Sequence, residues 1–164
     1  MSISLIILIA LAIVFDFLNG VHDSSNIVAT MISSRAIQPR VALAMTAVAE
    51  FSGPFIFGVA VANTIGSEIV DPIFLNIGII IAALVSAIIW NVMTWLLGIP
   101  SSSSHALIGG LIGAVAVGAG FKAIQIAGVT KFLIVLFKST IIGLLAGMLV
   151  ANLIFMLSWK ATPK

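Results

Sequence analysis

Long apolar runs separated by short polar stretches dominate this chain. A helix needs about 20 apolar residues to cross the hydrocarbon core of a bilayer, and the pattern offers five candidate runs. The first, Ile3 to Phe15, is interrupted by Asp16 and then by Leu18-Asn19-Gly20-Val21-His22-Asp23-Ser24-Ser25-Asn26, and resumes over Ile27 to Ile32 before Arg35. Residues 3–33 exceed one upright crossing and are polar in the middle, so the pattern predicts a broken first helix. The second run, Val41–Val61, lies between Arg40 and the polar turn from Asn63 to Pro72. The third, Ile73–Leu97, ends at Gly98-Ile99-Pro100. Ser101-Ser102-Ser103-Ser104-His105 then opens a glycine-rich fourth run, Ala106–Phe121. Lys122 to Lys138 mixes lysines with apolar residues and reads as a loop followed by an interfacial helix. Ser139–Ser158 is the last clean span. The fold expected is an all-α, multi-pass membrane protein of the cell (plasma) membrane, with residues 1–164 as a single transmembrane domain.

Composition agrees. Of 164 residues, 62% are apolar and only 7% are charged, against about a quarter charged in a soluble domain. Seven Lys/Arg and five Asp/Glu cannot coat a globule of this size, which excludes a soluble enzyme, a secreted disulfide scaffold and a disordered tail. The formal charge of +2 is not gathered into a basic cluster, so no nucleic-acid partner is expected. With no cysteine, disulfides, Cys-ligated metals and thiol chemistry are excluded. Met1-Ser2-Ile3-Ser4 lacks the positive start of a signal peptide, so the first run is expected to be retained. If all five runs cross, Arg35, Arg40, Lys160 and Lys164 share one side. The positive-inside rule makes that side cytoplasmic.

Polar residues inside such runs carry the functional information, because a carboxylate at the bilayer centre costs roughly 2.5–3.5 kcal/mol. Asp16 and Asp23 are seven apart and share a face if the helix runs through. Asp23 and Asn26, three apart, can aim oxygens at one point. With unwound carbonyls they would make a cation site, unless the segment is a polar loop outside the membrane. Glu50 is the one acidic residue within a long apolar run. It could hold a cation or proton, face His22 as a counter-charge, or simply be hydrogen-bonded to a neighbouring helix. The serines after Pro100 suit a helix N-terminus, whose unpaired N–H groups and dipole attract anions. Hydroxyls would add donors for a tetrahedral oxyanion, although a capped helix in a Ser-rich turn would look the same. Gly109–Gly113 and Gly143–Gly147 have the small-xxx-small spacing of close helix packing, and Trp90, Trp95 and Trp159 read as packing or interface anchors. From the residues alone the reading is an anion transporter, or half of one.

Gly20-Val21-His22-Asp23-Ser24-Ser25-Asn26 resembles the G-x-N-D-x-x-N signature of the inorganic phosphate transporter (PiT) family, and Pro100 to His105 resembles its P-x-S-[ST]-[ST]-H signature. Asn19 to Asp23, Ala87 to Asn91, and Thr94-Trp95 through Pro100 are similar to a bacterial low-affinity branch, and Glu50-Phe51-Ser52-Gly53 to a Glu-x-x-Gly of many members. The resemblance implies phosphate symport driven by protons or sodium, no organic cofactor, and phosphate carried in some bacterial members as a neutral metal complex. It implies that Asp23 and Asn26 line the substrate and cation region, and that Ser102, Ser103 and Ser104 bind phosphate oxygens. His22, Asp23, Asn26 and Glu50 are the candidates for the coupling cation or proton. No catalytic residue and no resident metal site are implied. In the family the serine stretch lies at the tip of a membrane hairpin, so Val85–Phe121 would be a re-entrant pair and the count of five would fall.

The sequence departs from the family pattern in two ways. His22 stands where Asn is commoner, and an imidazole exchanges a proton near neutral pH. The family also carries each signature twice, once per inverted half, whereas this chain has each once. It matches the N-terminal half, which implies a homodimer, a separately encoded C-terminal half or a truncated product, beside inorganic phosphate and the lipid bilayer. The rival readings are a permease for sulfate or another tetrahedral oxyanion, a non-transporting half-transporter subunit, and an intramembrane serine protease using His105 or His22. The protease reading lacks a G-x-S-x-G sequence and any evident base and oxyanion hole.

Overall fold

The computed structural model describes residues 2–58 and 67–159, of which nearly all are helical. The chain divides into two compact units, Met1–Gln125 and Ile126–Lys164. The first contains α1 (Ile3–Ser33), α2 (Pro39–Phe57), α3 (Ile77–Leu96) and α4 (Ser103–Gly118), and the second consists of α5 (Ile126–Ser158).

The first helix is continuous, against the break that its polar middle predicts. Gly20 costs only about 1 kcal/mol relative to Ala in a helix, too little to interrupt 31 residues. The serines do not unwind it either. Ser24 Oγ donates to the Val21 carbonyl at 3.3 Å and Ser25 Oγ to that of His22 at 2.7 Å, absorbing their hydroxyls locally while the main-chain ladder persists. At 1.5 Å per residue α1 is about 46 Å long, well beyond the roughly 30 Å hydrocarbon core.

The interfacial helix expected before Ser139 is likewise absent as a separate element. Residues 126–158 form one helix, because Lys131 and Lys138 have nearly the helix propensity of Leu and no proline intervenes. Of the five expected crossings, three described helices are long and apolar enough to span a bilayer: α1, α3 and α5. Helix α4, with 16 residues, rises about 24 Å. Helix α2 covers the second run to Phe57, and positions 59–61 of that run lie outside the described residues. The multi-pass membrane architecture stands.

Helices α3 and α4 form a hairpin that α1 covers. Ile79, Ala83, Ala87, Asn91 and Thr94 make a buried stripe along α3, at the three-to-four-residue spacing of one helix face. Phe15 of α1 packs with Leu84 and Ala87, and Leu8, Leu11 and Ala12 extend that contact along the same side of α1. Helices α3 and α4 approach closely at Gly110, where an added Cβ would lie 2.7 Å from the Ala83 carbonyl oxygen. Gly109 and Gly113 make no such approach among the described residues, so Gly110, and neither member of the spaced pair, meets the α3 backbone. At the end away from the serines, the main chain of 69–71 pairs with 123–125. Asp71 N–H donates to Ala123 O at 3.2 Å and Gln125 N–H to Ile69 O at 2.9 Å.

The reversal between α3 and α4 follows from Leu97-Gly98-Ile99-Pro100. Gly98 adopts φ +64°, a conformation that glycine enters without steric penalty. Ile99 N–H then reaches Thr94 O at 2.9 Å and Gly98 N–H reaches Trp95 O at 3.1 Å, the paired bonds of a Schellman C-cap. Pro100 prevents continuation. Ser101 and Ser102 complete the turn, and α4 starts at Ser103.

Candidate functional site

The first turn of α4 is built by short polar side chains. Ser102 is the N-cap, and its Oγ accepts from His105 N–H at 3.5 Å. Trp90 of α3 donates its indole N–H to Ser101 Oγ at 2.9 Å. Ser103 donates its hydroxyl to Asn19 Oδ1 of α1 and is 2% exposed. Ser104 and His105 are exposed. Ser101, Ser102 and His105 open onto a groove of ≈ 640 Å³ that continues over Gly109 and Gly113. Hydroxyls and first-turn N–H groups on one rim, at the positive end of a 16-residue helix, form a donor-rich surface suited to an oxyanion.

On α1, Asn19, His22, Asp23 and Asn26 fall at spacings of three, four and seven, so they share one face. The continuous helix therefore presents as a stripe what a broken one would have gathered around a turn. His22 is buried, Asp23 half-buried and Asn26 exposed. His22 and Asn26 line a cavity of ≈ 200 Å³ together with Thr94, Gly98 and Pro100, so the α1 stripe meets the loop that leads into the serines. His22 also borders a second cavity, ≈ 280 Å³, whose other polar side chain is that of Asn91.

The structure thus brings His22 and Asn26 to the reversal loop and Ser103 to α1. It does not add Glu50, which is exposed on α2 and lines none of these three cavities. Asp23 and Ser104 also stay outside their linings. Sequence reasoning passed over Asn19, Trp90, Asn91 and Thr94 as site residues. The signal was available for three of them: uncharged polar side chains in otherwise apolar helices are uncommon enough to be informative. The side chain of Asn91 is 2% exposed and has no hydrogen-bond partner among the described residues.

Comparison with known proteins is consistent in direction. A family model described as the phosphate transporter family matches residues 19–164. The chain is 44% identical over 156 residues to a probable low-affinity inorganic phosphate transporter of Rhizobium meliloti, covering 95% of this chain and 47% of that protein. It is 45% identical over 151 residues to a protein of the same description from Streptomyces halstedii, covering 90% of this chain and 70% of the relative. A solved structure described as the sodium-dependent phosphate transporter superposes with a TM-score of 0.83 at 27% identity, over 94% of this chain and 40% of that one. The chain spans about half the length of the first curated relatives it matches.

Proposed function

Because this chain belongs to the phosphate transporter family, we propose that it forms one half of a cation-coupled inorganic phosphate symporter. The observation that carries the reading is the meeting of the α4 N-terminus and its serines with the polar stripe of α1, through the Ser103–Asn19 bond and the cavity shared by His22, Asn26 and the reversal loop. An anion-attracting helix end beside polar side chains able to hold a cation or proton, here His22 and Asn26, is the pairing that a coupled anion carrier needs. The relatives are transporters by description rather than enzymes.

In this reading phosphate sits at the first turn of α4. Ser102 and Ser104 offer hydroxyls, and Ser103 offers its main-chain N–H. Asp23 and Asn26 face the substrate and cation region from α1. The coupling ion, sodium or a proton, is held among His22, Asp23, Asn26 and Glu50. Glu50 contributes from α2, reaching the others only once a second half closes over the exposed face. Both the α4 groove and the Asn26 end of the α1 stripe are open, as expected of surfaces completed by a second copy of the chain or by a C-terminal half. Residues 1–164 act as one transmembrane repeat. The α3–α4 hairpin is re-entrant, a reading supported by the 16-residue length of α4 and by the serines at its tip.

Binding of labelled inorganic phosphate to the purified chain in lipid nanodiscs, with sulfate as competitor, tests this reading. Saturable binding that Ser102→Ala and Ser104→Ala each weaken by about tenfold is expected, one charge-assisted hydrogen bond apiece. Equal competition by sulfate, or indifference to both substitutions, would count against it.

A further inference from the structure

The four serines of the α4 start are not equivalent. Ser101 accepts from Trp90, Ser102 caps the helix, and Ser104 is exposed. Ser103 alone is buried, at 2% exposure, and its hydroxyl donates to Asn19 Oδ1. A serine has one hydroxyl proton; given to Asn19, it is not available to a phosphate oxygen. Asn19 lies at the head of the stripe that carries His22, Asp23 and Asn26 three, four and seven residues on. The bond therefore joins that stripe to the first turn of α4 from inside the helix interface.

We propose that Asn19 is a positioning residue that fastens the phosphate-binding turn of α4 to the cation-binding stripe of α1, and that the Ser103 side chain is its counterpart rather than a phosphate ligand. This rests on the functional reading above and assigns a division of labour within it. Ser102 and Ser104 address the anion, while Asn19 and Ser103 hold the two sites in register. A displacement of α1 on cation binding is then delivered to the serine turn.

The test is a double-mutant cycle in the reconstituted full chain. Phosphate KM, Vmax and the half-saturating concentration of the driving ion are measured for Asn19→Ala, Ser103→Ala, the double variant and Asn19→Asp. Each alanine variant is expected to raise the phosphate KM about tenfold, the effect of one buried hydrogen bond. The driving-ion requirement should shift in the same proteins. The double variant should be no worse than either single, as for two residues acting through one bond. Asn19→Asp, which keeps an oxygen acceptor, should stay within about threefold of the parent. If Ser103→Ala raises KM while Asn19→Ala does not, or if the two effects add, Ser103 is a direct ligand and the proposal is wrong. If the parent chain transports no phosphate either alone or together with the remaining half of a longer relative, it is the functional reading that fails. The tie is then judged on melting temperatures of the same proteins, where non-additivity sustains it and additivity overturns it. Should the alanine variants fail to fold, N19C/S103C is made in this cysteine-free chain. Phosphate binding that survives a short thiol cross-link supports the tie, and its loss overturns the proposal.

Discussion

Replacing Gly110 by Ala puts a methyl group where two helix backbones nearly touch. The new Cβ would lie 2.7 Å from the Ala83 carbonyl oxygen and 3.4 Å from Ser86 Cβ. The first contact is with main chain, so it cannot be relieved by a rotamer change. Helix α3 must move away by several tenths of an ångström, or its hydrogen-bonded carbonyl must tilt. Overpacking of this kind costs about 1–3 kcal/mol, against an intrinsic helix gain of about 1 kcal/mol for Ala over Gly. The net expectation is a loss of about 1 kcal/mol. Gly109→Ala is the matched control, since no described residue lies within 4 Å of its added Cβ, and it should gain up to about 1 kcal/mol. For a chain of this size the difference between the two corresponds to about 4–8 °C in Tm. Thermal unfolding of both variants in the same detergent measures it. Equal shifts, or a more stable Gly110→Ala, would refute the close contact and with it the hairpin register that places the serines.

Three further outcomes follow from the same geometry. Gly98→Ala must enter a left-handed conformation at about 1–2 kcal/mol, so it should lower Tm and weaken phosphate binding together. Trp90→Phe removes the indole donor to Ser101 and should lower stability by about 0.5–1.5 kcal/mol, with a rise of a few fold in the phosphate Kd measured by nanodisc binding. Asn91→Leu replaces a buried amide that has no partner among the described residues and should stabilise the chain by about 1–3 kcal/mol. A fall in its Tm would mean that the amide is satisfied in the membrane-embedded protein.

Much of this architecture is legible from local chemistry. Gly98-Ile99-Pro100 marks the end of α3 and Ser102 the start of α4, because left-handed φ and helix capping are properties of a few residues. The serine turn is found for the same reason. The continuity of α1 is not legible that way. A run of Gly, Asp, Ser and Asn reads as loop-forming, yet Ser24 and Ser25 bond back onto their own helix, and neighbouring turns outweigh one glycine. Lys131 and Lys138 mislead in a similar way, since charge marks an interface but does not end a helix. The tie between Asn19 and Ser103 spans 84 residues. No local pattern distinguishes the buried Ser103 from the exposed Ser104. Only the helix face each occupies decides it, and that face is set by the packing of α4 on α3 and α1.

The most direct measurement is accumulation of labelled phosphate in liposomes containing the chain, under imposed sodium and proton gradients, with Asp23→Asn beside it. It is made with the chain alone and together with the remaining half of a longer relative. Gradient-driven uptake that one of these preparations shows and Asp23→Asn abolishes is the predicted result. A folded, inserted chain that accumulates no phosphate in either preparation, or uptake that Asp23→Asn leaves intact, would contradict the account.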